Sequence, residues 1–207
     1  MKTRSHVFLA RYLLKQIPEL DSVLNQKVFI WGCIEPDFNL LSYLRGSLKW
    51  QKFRGHNYNS SSHYIIRTLT KLQGKRSWRL REYYRLGKLM HYLSDSFTYP
   101  HNDIFTGTLG EHCRYEARLH SCFAAYLKQG GKESTKNFPQ NARVYIDEFH
   151  RQYMRTAGDV NNDAHFITQA TSQVMGILIH SLTPGYCGKG EAPYENSNYN
   201  RLVRPDC

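Results

Sequence analysis

Residues 77–101 read Ser77-Trp-Arg-Leu-Arg-Glu-Tyr-Tyr-Arg-Leu-Gly-Lys-Leu-Met-His91-Tyr-Leu-Ser-Asp95-Ser-Phe-Thr-Tyr-Pro100-His101. Trp78, Leu80, Tyr84, Leu86, Leu89, Met90 and Leu93 recur at helical spacing, Ser77 supplies a cap, and Pro100 closes the run. A long amphipathic helix ending in a proline turn is the reading. The same period continues on both sides. Upstream, Ser5 caps a helix through Phe8, Leu9, Tyr12, Leu13 and Ile17, ended by Pro18, and Asp21 caps a second through Leu24, Val28, Phe29 and Trp31, stopping near Gly32 and Pro36. Asn59 or Ser60 opens a third through Tyr64, Ile65, Leu69 and Leu72. Downstream, helices are predicted over 109–128, stopped by Gly130-Gly131, over 141–156, and over 162–182 with Asn161 or Asn162 as cap and Pro184-Gly185 as stop. No alternating strand pattern, repeat or domain linker interrupts them. The chain reads as one all-α domain, a helical bundle over residues 1–184, with an irregular tail over 185–207.

Composition agrees. With 207 residues, 41% hydrophobic and 22% charged, the chain can bury a core and is not globally disordered. Five cysteines are too few for a disulfide scaffold, and Cys33, Cys113, Cys122, Cys187 and Cys207 show no Cys-x-x-Cys spacing, so they read as free thiols. No stretch approaches the ~20 apolar residues that span a bilayer. Residues 7–14 are too short and interrupted for a signal-peptide core, so a cytoplasmic location is expected, or secretion if the true start lies upstream. The net charge of +11 suits a phosphate-bearing partner or simply a solvated basic surface.

The chemistry concentrates in the histidines. His91 and Asp95 are four apart, so their side chains lie on one helix face. His101 follows the helix-ending proline, and His112 and Glu116 repeat the four-residue spacing on the next helix. Either pair alone reads as an ordinary surface contact. Both pairs, with His101 between them, put nitrogen and carboxylate donors on adjacent helices, the donor set that zinc prefers.

These residues resemble the metal-binding signature of the bacterial zinc-dependent phospholipase C family, which includes the lecithin-cleaving phospholipases and the catalytic domain of clostridial alpha-toxin. Gly87-Lys-Leu-Met-His91-Tyr-Leu-Ser-Asp95 is similar to that family's Leu-Gly-x-x-x-His-Tyr-x-x-Asp, and Pro100-His101 fits its ending. Ser5-His6 with Arg11 resembles the opening helix, and Pro36-Asp37 the ligand aspartate. The likeness is specific over 84–116, moderate over 5–17 and 31–37, and absent beyond about 185. It implies an all-α bundle around two or three zinc ions. One ion would take Asp37, His56, His91 and Asp95, a second His101, His112 and Glu116, and a third His6 with a share of Asp95. His63 is the alternative to His56; the loop position before the helix favours His56. Family members complete the third site with the amino group and carbonyl of an N-terminal tryptophan. This sequence has Met1 in that place and no tryptophan before Trp31, so by that resemblance a third site would be completed either by Met1's own backbone or, if the true start is a different one, by another residue.

By that resemblance the reaction is hydrolysis of a phosphodiester, releasing diacylglycerol from a phospholipid, with Asp37 as ligand and general base. A single-strand nuclease of the S1/P1 type, acting on nucleic acid, shares the fold and much of the signature; Glu116 rather than Asp, and the missing tryptophan, speak against it. A zinc-containing binding protein without turnover is the non-enzymatic alternative. His120, His150, His165 and His180 read as polar or core-edge histidines. Tyr58, Tyr64, Tyr83, Tyr84, Tyr92 and Tyr99 read as core, with a choline-like headgroup cradle as the functional option. The basic run from Lys71 to Arg85 reads as a solvated face, or as a peripheral contact with an anionic membrane surface.

Overall fold

Helical apolar stripes bury only if the helices lie against one another, and the computed structural model shows that arrangement. It describes residues 1–17, 20, 22–38, 58–130 and 141–182. The elements are α1 (Thr3–Lys15), α2 (Val23–Phe38), α3 (Tyr58–Gln73), α4 (Leu80–Ser96), a single 3-10 turn (Tyr99–His101), α5 (Leu109–Lys128), α6 (Ala142–Met154) and α7 (Val160–His180). There is no strand among the described residues. The fold is all-α, as the spacing of apolar residues predicts.

The core runs through every helix, from Leu9 and Leu13 on α1 to Val174 and Leu178 on α7. Each such side chain contributes about 1.5–3 kcal/mol on burial. Helices α2, α3 and α7 pack on α4, and α1 and α7 pack on α5. The α2–α4 crossing is the closest-fitted. A Cβ on Gly87 would stand 2.2 Å from the Phe29 carbonyl oxygen, and one on Gly32 would stand 2.3 Å from that of Tyr84. Only paired glycines admit this approach, and it lays Cys33 and Asp37 against His91.

Several helix ends differ from expectation. Helix α1 begins at Thr3 with Lys2 as N-cap, so Ser5 is not a cap; it is buried, and its hydroxyl meets His120 Nδ1 at 2.8 Å. Helix α2 does not stop at Gly32 but runs through Pro36 to Phe38. Proline removes one backbone donor there, tolerable in a last turn held by the glycine contact. Helix α3 begins at Tyr58, so Asn59 and Ser60 lie inside it. Helix α4 begins at Leu80, not Ser77, because the Glu82 carboxylate accepts the Arg79 backbone N–H at 3.2 Å. Helix α7 is capped by Asp159, whose Oδ1 accepts from the amides of Asn161 and Asn162 at 2.8 and 3.0 Å, rather than by either asparagine. The helix over 109–128 has the expected bounds, and Gly130 follows it at φ +92°, the left-handed conformation that ends helices. Pro18, Asp21, Gly131, Pro184, Cys187, Cys207 and the tail over 185–207 lie outside the described residues. Cys33, Cys113 and Cys122 are free thiols. No helix among the described residues is long and apolar enough to cross a membrane.

Candidate metal centre

Helix α4 supplies the centre. Its four-residue spacing stacks His91 and Asp95 on one face, both fully buried. Helix α1 then brings His6 over His91, with ring centroids 4.0 Å apart and an interplanar angle of 21°. His6 Nε2 faces Asp95 Oδ1 at 3.4 Å, and His91 Nε2 faces Asp95 Oδ2 at 3.3 Å. Helix α2 adds Asp37, whose Oδ1 lies 3.8 Å from His91 Nε2 and whose Oδ2 accepts the Thr3 hydroxyl at 2.7 Å.

Hydrogen bonds on the far side of each ring decide which nitrogen carries the proton. His91 Nδ1 lies 2.9 Å from the Cys33 carbonyl, which only accepts, so Nδ1 is the N–H and, in the neutral ring, Nε2 holds the lone pair. The Ser94 hydroxyl donates to the His91 carbonyl at 2.8 Å and therefore accepts from His6 Nδ1 at 3.3 Å. His6 Nε2 is thus also a lone pair, buried and with no hydrogen-bond partner among the described residues. Two lone pairs turned on a carboxylate repel one another unless a cation sits between them. Protonating His6 is not the remedy near neutral pH: burial, and then the neighbouring His91, lower its pKa to about 4. The donor set therefore fits a divalent metal.

A second group lies alongside. His101, on the turn after α4, and His112, on α5, place their Nε2 atoms 3.1 and 3.0 Å from Glu116 Oε1. The ligand atoms of His6, His91 and Asp95 all lie within 4.8 Å of one another, as do those of His101, His112 and Glu116.

The Met1 amine joins the two groups. It lies 2.6 Å from Asp95 Oδ1, 3.1 Å from Glu116 Oε1 and 3.1 Å from His101 Nε2. Burial opposes its charge, but Asp95 and Glu116 outweigh burial and raise its pKa to about 10. Asp95 and Glu116 are in turn held well below the ordinary carboxylate range despite their burial, by the amine and the surrounding histidines.

Seven of the eight residues singled out from sequence fall in this region: His6, Asp37, His91, Asp95, His101, His112 and Glu116. His56 lies outside the described residues, and the alternative His63 is exposed on α3. Two of the remaining histidines have other partners. His150 Nε2 donates between the Ser96 carbonyl and Asn102 Oδ1 at 3.1 and 2.9 Å, and His165 Nδ1 meets the Tyr126 hydroxyl at 3.2 Å. In the basic run, Lys75 and Arg85 are tied to Glu82 at 2.7 and 3.5 Å. The Cys33 carbonyl and Ser94 hydroxyl escape sequence reading, the first because a backbone acceptor has no side-chain signature. Ser94, between His91 and Asp95, was legible only by position.

The family model described as zinc-dependent phospholipase C matches residues 5–162. No curated protein and no solved structure matches.

Proposed function

Because the chain belongs to the zinc-dependent phospholipase C family, we propose that it hydrolyses the phosphodiester of a phospholipid, releasing diacylglycerol. The buried His6 Nε2 lone pair aimed at Asp95 carries this reading, since it calls for a cation where the family uses zinc. His6, His91 and Asp95 with Asp37 would hold one part of the zinc centre, and His101, His112 and Glu116 the other. The Met1 amine, which donates to Asp95 as an ammonium, would serve as the backbone donor of a third ion once that ion displaced its proton. Bound zinc lowers the pKa of water from about 15.7 toward ~7 and neutralises charge on phosphate oxygens.

The chain's own groups do the rest. The Cys33 carbonyl and Ser94 hydroxyl keep His91 and His6 in the tautomer that presents Nε2 inward. Thr3 holds Asp37 Oδ2, which leaves Oδ1, beside His91, as the oxygen placed to take a proton from attacking water. Asp37 is only partly buried, so water reaches it, whereas Asp95 is enclosed.

Zinc analysis of the purified protein, with hydrolysis assays on a phosphatidylcholine dispersion and on single-stranded DNA, tests the reading. Zinc-dependent release of diacylglycerol is expected. Zinc-dependent cleavage of DNA alone would transfer the site to a nuclease. Bound zinc with no turnover on either substrate would leave a binding protein.

A further inference from the structure

Asp163 lies in the first turn of α7, just beyond the residues matched by the family model, and is fully buried. Its Oδ2 accepts the Tyr99 backbone N–H at 3.0 Å and the Tyr115 hydroxyl at 2.8 Å. Its Oδ1 accepts the Tyr153 hydroxyl at 2.8 Å. None of these donors is a cation. A buried carboxylate held only by neutral donors is a poor device for stability, because its desolvation is not met by an opposite charge.

Two of the donors belong to the elements that carry the second ligand group. Tyr99 opens the turn that ends at His101, and Tyr115 directly precedes Glu116 on α5. One carboxylate oxygen therefore grips the turn and the helix together. The Tyr99 and Tyr115 rings also meet, with centroids 5.5 Å apart. The turn's other anchor does something different. Asn102 donates to the Ser96 and Thr98 carbonyls at 3.1 and 3.0 Å, which ties the turn back to the end of α4 and not to α5.

We infer that Asp163 is a positioning residue for the His101–His112–Glu116 group: it sets the register of the His101 turn against α5, so that the three ligand atoms converge on one ion. The inference rests on the metal-centre reading given above. Registry, not charge, is the working property. An asparagine at this position would place its oxygen where Oδ2 receives Tyr99 and Tyr115, and would turn its amide N–H toward the Tyr153 oxygen, preserving all three ties. Alanine would cut them.

The test is zinc affinity of the full chain, measured by competition with a chromophoric chelator, with helicity followed in parallel. Asp163→Ala should weaken part of the bound zinc about tenfold, the loss typical of an outer partner of a metal ligand, while Asp163→Asn stays within about twofold of the unaltered chain. The effect of Asp163→Ala should vanish in a His112→Ala background and persist in a His6→Ala background, because coupling is confined to groups that act together. Unchanged affinity in a folded Asp163→Ala protein overturns the inference, as does equal impairment of Asp163→Asn or persistence of the effect beside His112→Ala. If Asp163→Ala does not fold, Tyr115→Phe cuts the α5 tie alone and must show the same selective loss. An unaltered chain that binds no zinc would sink the metal-centre reading and this inference together. Bound zinc indifferent to Asp163 would sink this inference only.

Discussion

At the residue scale, Asp95 is the pivot. One oxygen faces His6 and the Met1 amine, the other faces His91. Asp95→Asn replaces a doubly used anion by a neutral amide, whose nitrogen is no metal donor and whose N–H would instead occupy the lone pair of a facing imidazole. We expect hydrolysis to fall at least about a hundredfold, with the helical circular dichroism signal retained; near-normal turnover in zinc-replete buffer would exclude the bridging role. Asp163 offers a pH measurement. Burial raises its pKa from the ordinary 3.8 to about 6, against the three hydrogen bonds that lower it. A carboxyl raised on folding contributes stability that is fully present below its unfolded value and is lost as pH climbs through the folded one. Relative to the native chain, Asp163→Asn should therefore gain stability as pH rises from about 4 to about 6, by at most about 3 kcal/mol, and then level off. Denaturant unfolding of the two metal-free proteins across that range gives the difference directly, and a gap that narrows with rising pH would contradict the sign.

At the element scale, the contact between α2 and α4 places half of the first ligand group. Phe29 and Gly32 on α2 lie against Tyr84 and Gly87 on α4, and the same contact delivers the Cys33 carbonyl and Asp37 to His91. Gly87→Ala must push the two helices apart, since its methyl would stand 2.2 Å from a backbone oxygen that cannot swing away. Overpacking of this kind costs about 1–3 kcal/mol, sometimes more. Zinc affinity should fall with stability, because His91 loses its tautomer-fixing partner. Gly130→Ala provides the contrast. That glycine has φ +92° with nothing within 4 Å of an added Cβ, so the variant should lose about 1 kcal/mol through backbone strain while its zinc affinity holds. Urea unfolding and chelator competition on both variants separate a contact that builds the site from one that merely ends a helix.

At the scale of the whole molecule, the apolar core and the metal centre are separable. The core links α1 through α7 by side chains such as Leu13, Leu72, Leu89, Phe123, Tyr153 and Leu178, and none of these is a ligand-type residue of the centre. Removing zinc with a chelator should therefore leave the far-ultraviolet circular dichroism at room temperature nearly unchanged, while lowering the melting temperature, because a ligand bound only by the folded state stabilises it by mass action. Collapse of the helical signal on chelation would instead mark zinc as a folding element, as in small metal domains, and would favour the non-enzymatic reading.

The helices and most of the centre were legible in the chain because their information is local. A period of 3.6 residues names the buried face of each helix, and a spacing of four residues puts His91 beside Asp95 and His112 beside Glu116 whatever the rest of the protein does. Helix ends were read less well: Ser5 and Ser77 look like caps, but a cross-helix hydroxyl contact and the reach of Glu82 decide otherwise. What depended on tertiary structure is whatever joins distant segments or uses the backbone. The Met1 amine meets a carboxylate 94 residues away, the Cys33 carbonyl selects the His91 tautomer across 58 residues, and Asp163 grips a turn 64 residues upstream. Backbone amines, amides and carbonyls are common to every residue, so no pattern of side chains announces which of them will be used. Packing makes that choice, when two glycines let α2 and α4 close and the carbonyl beside them comes to rest on an imidazole.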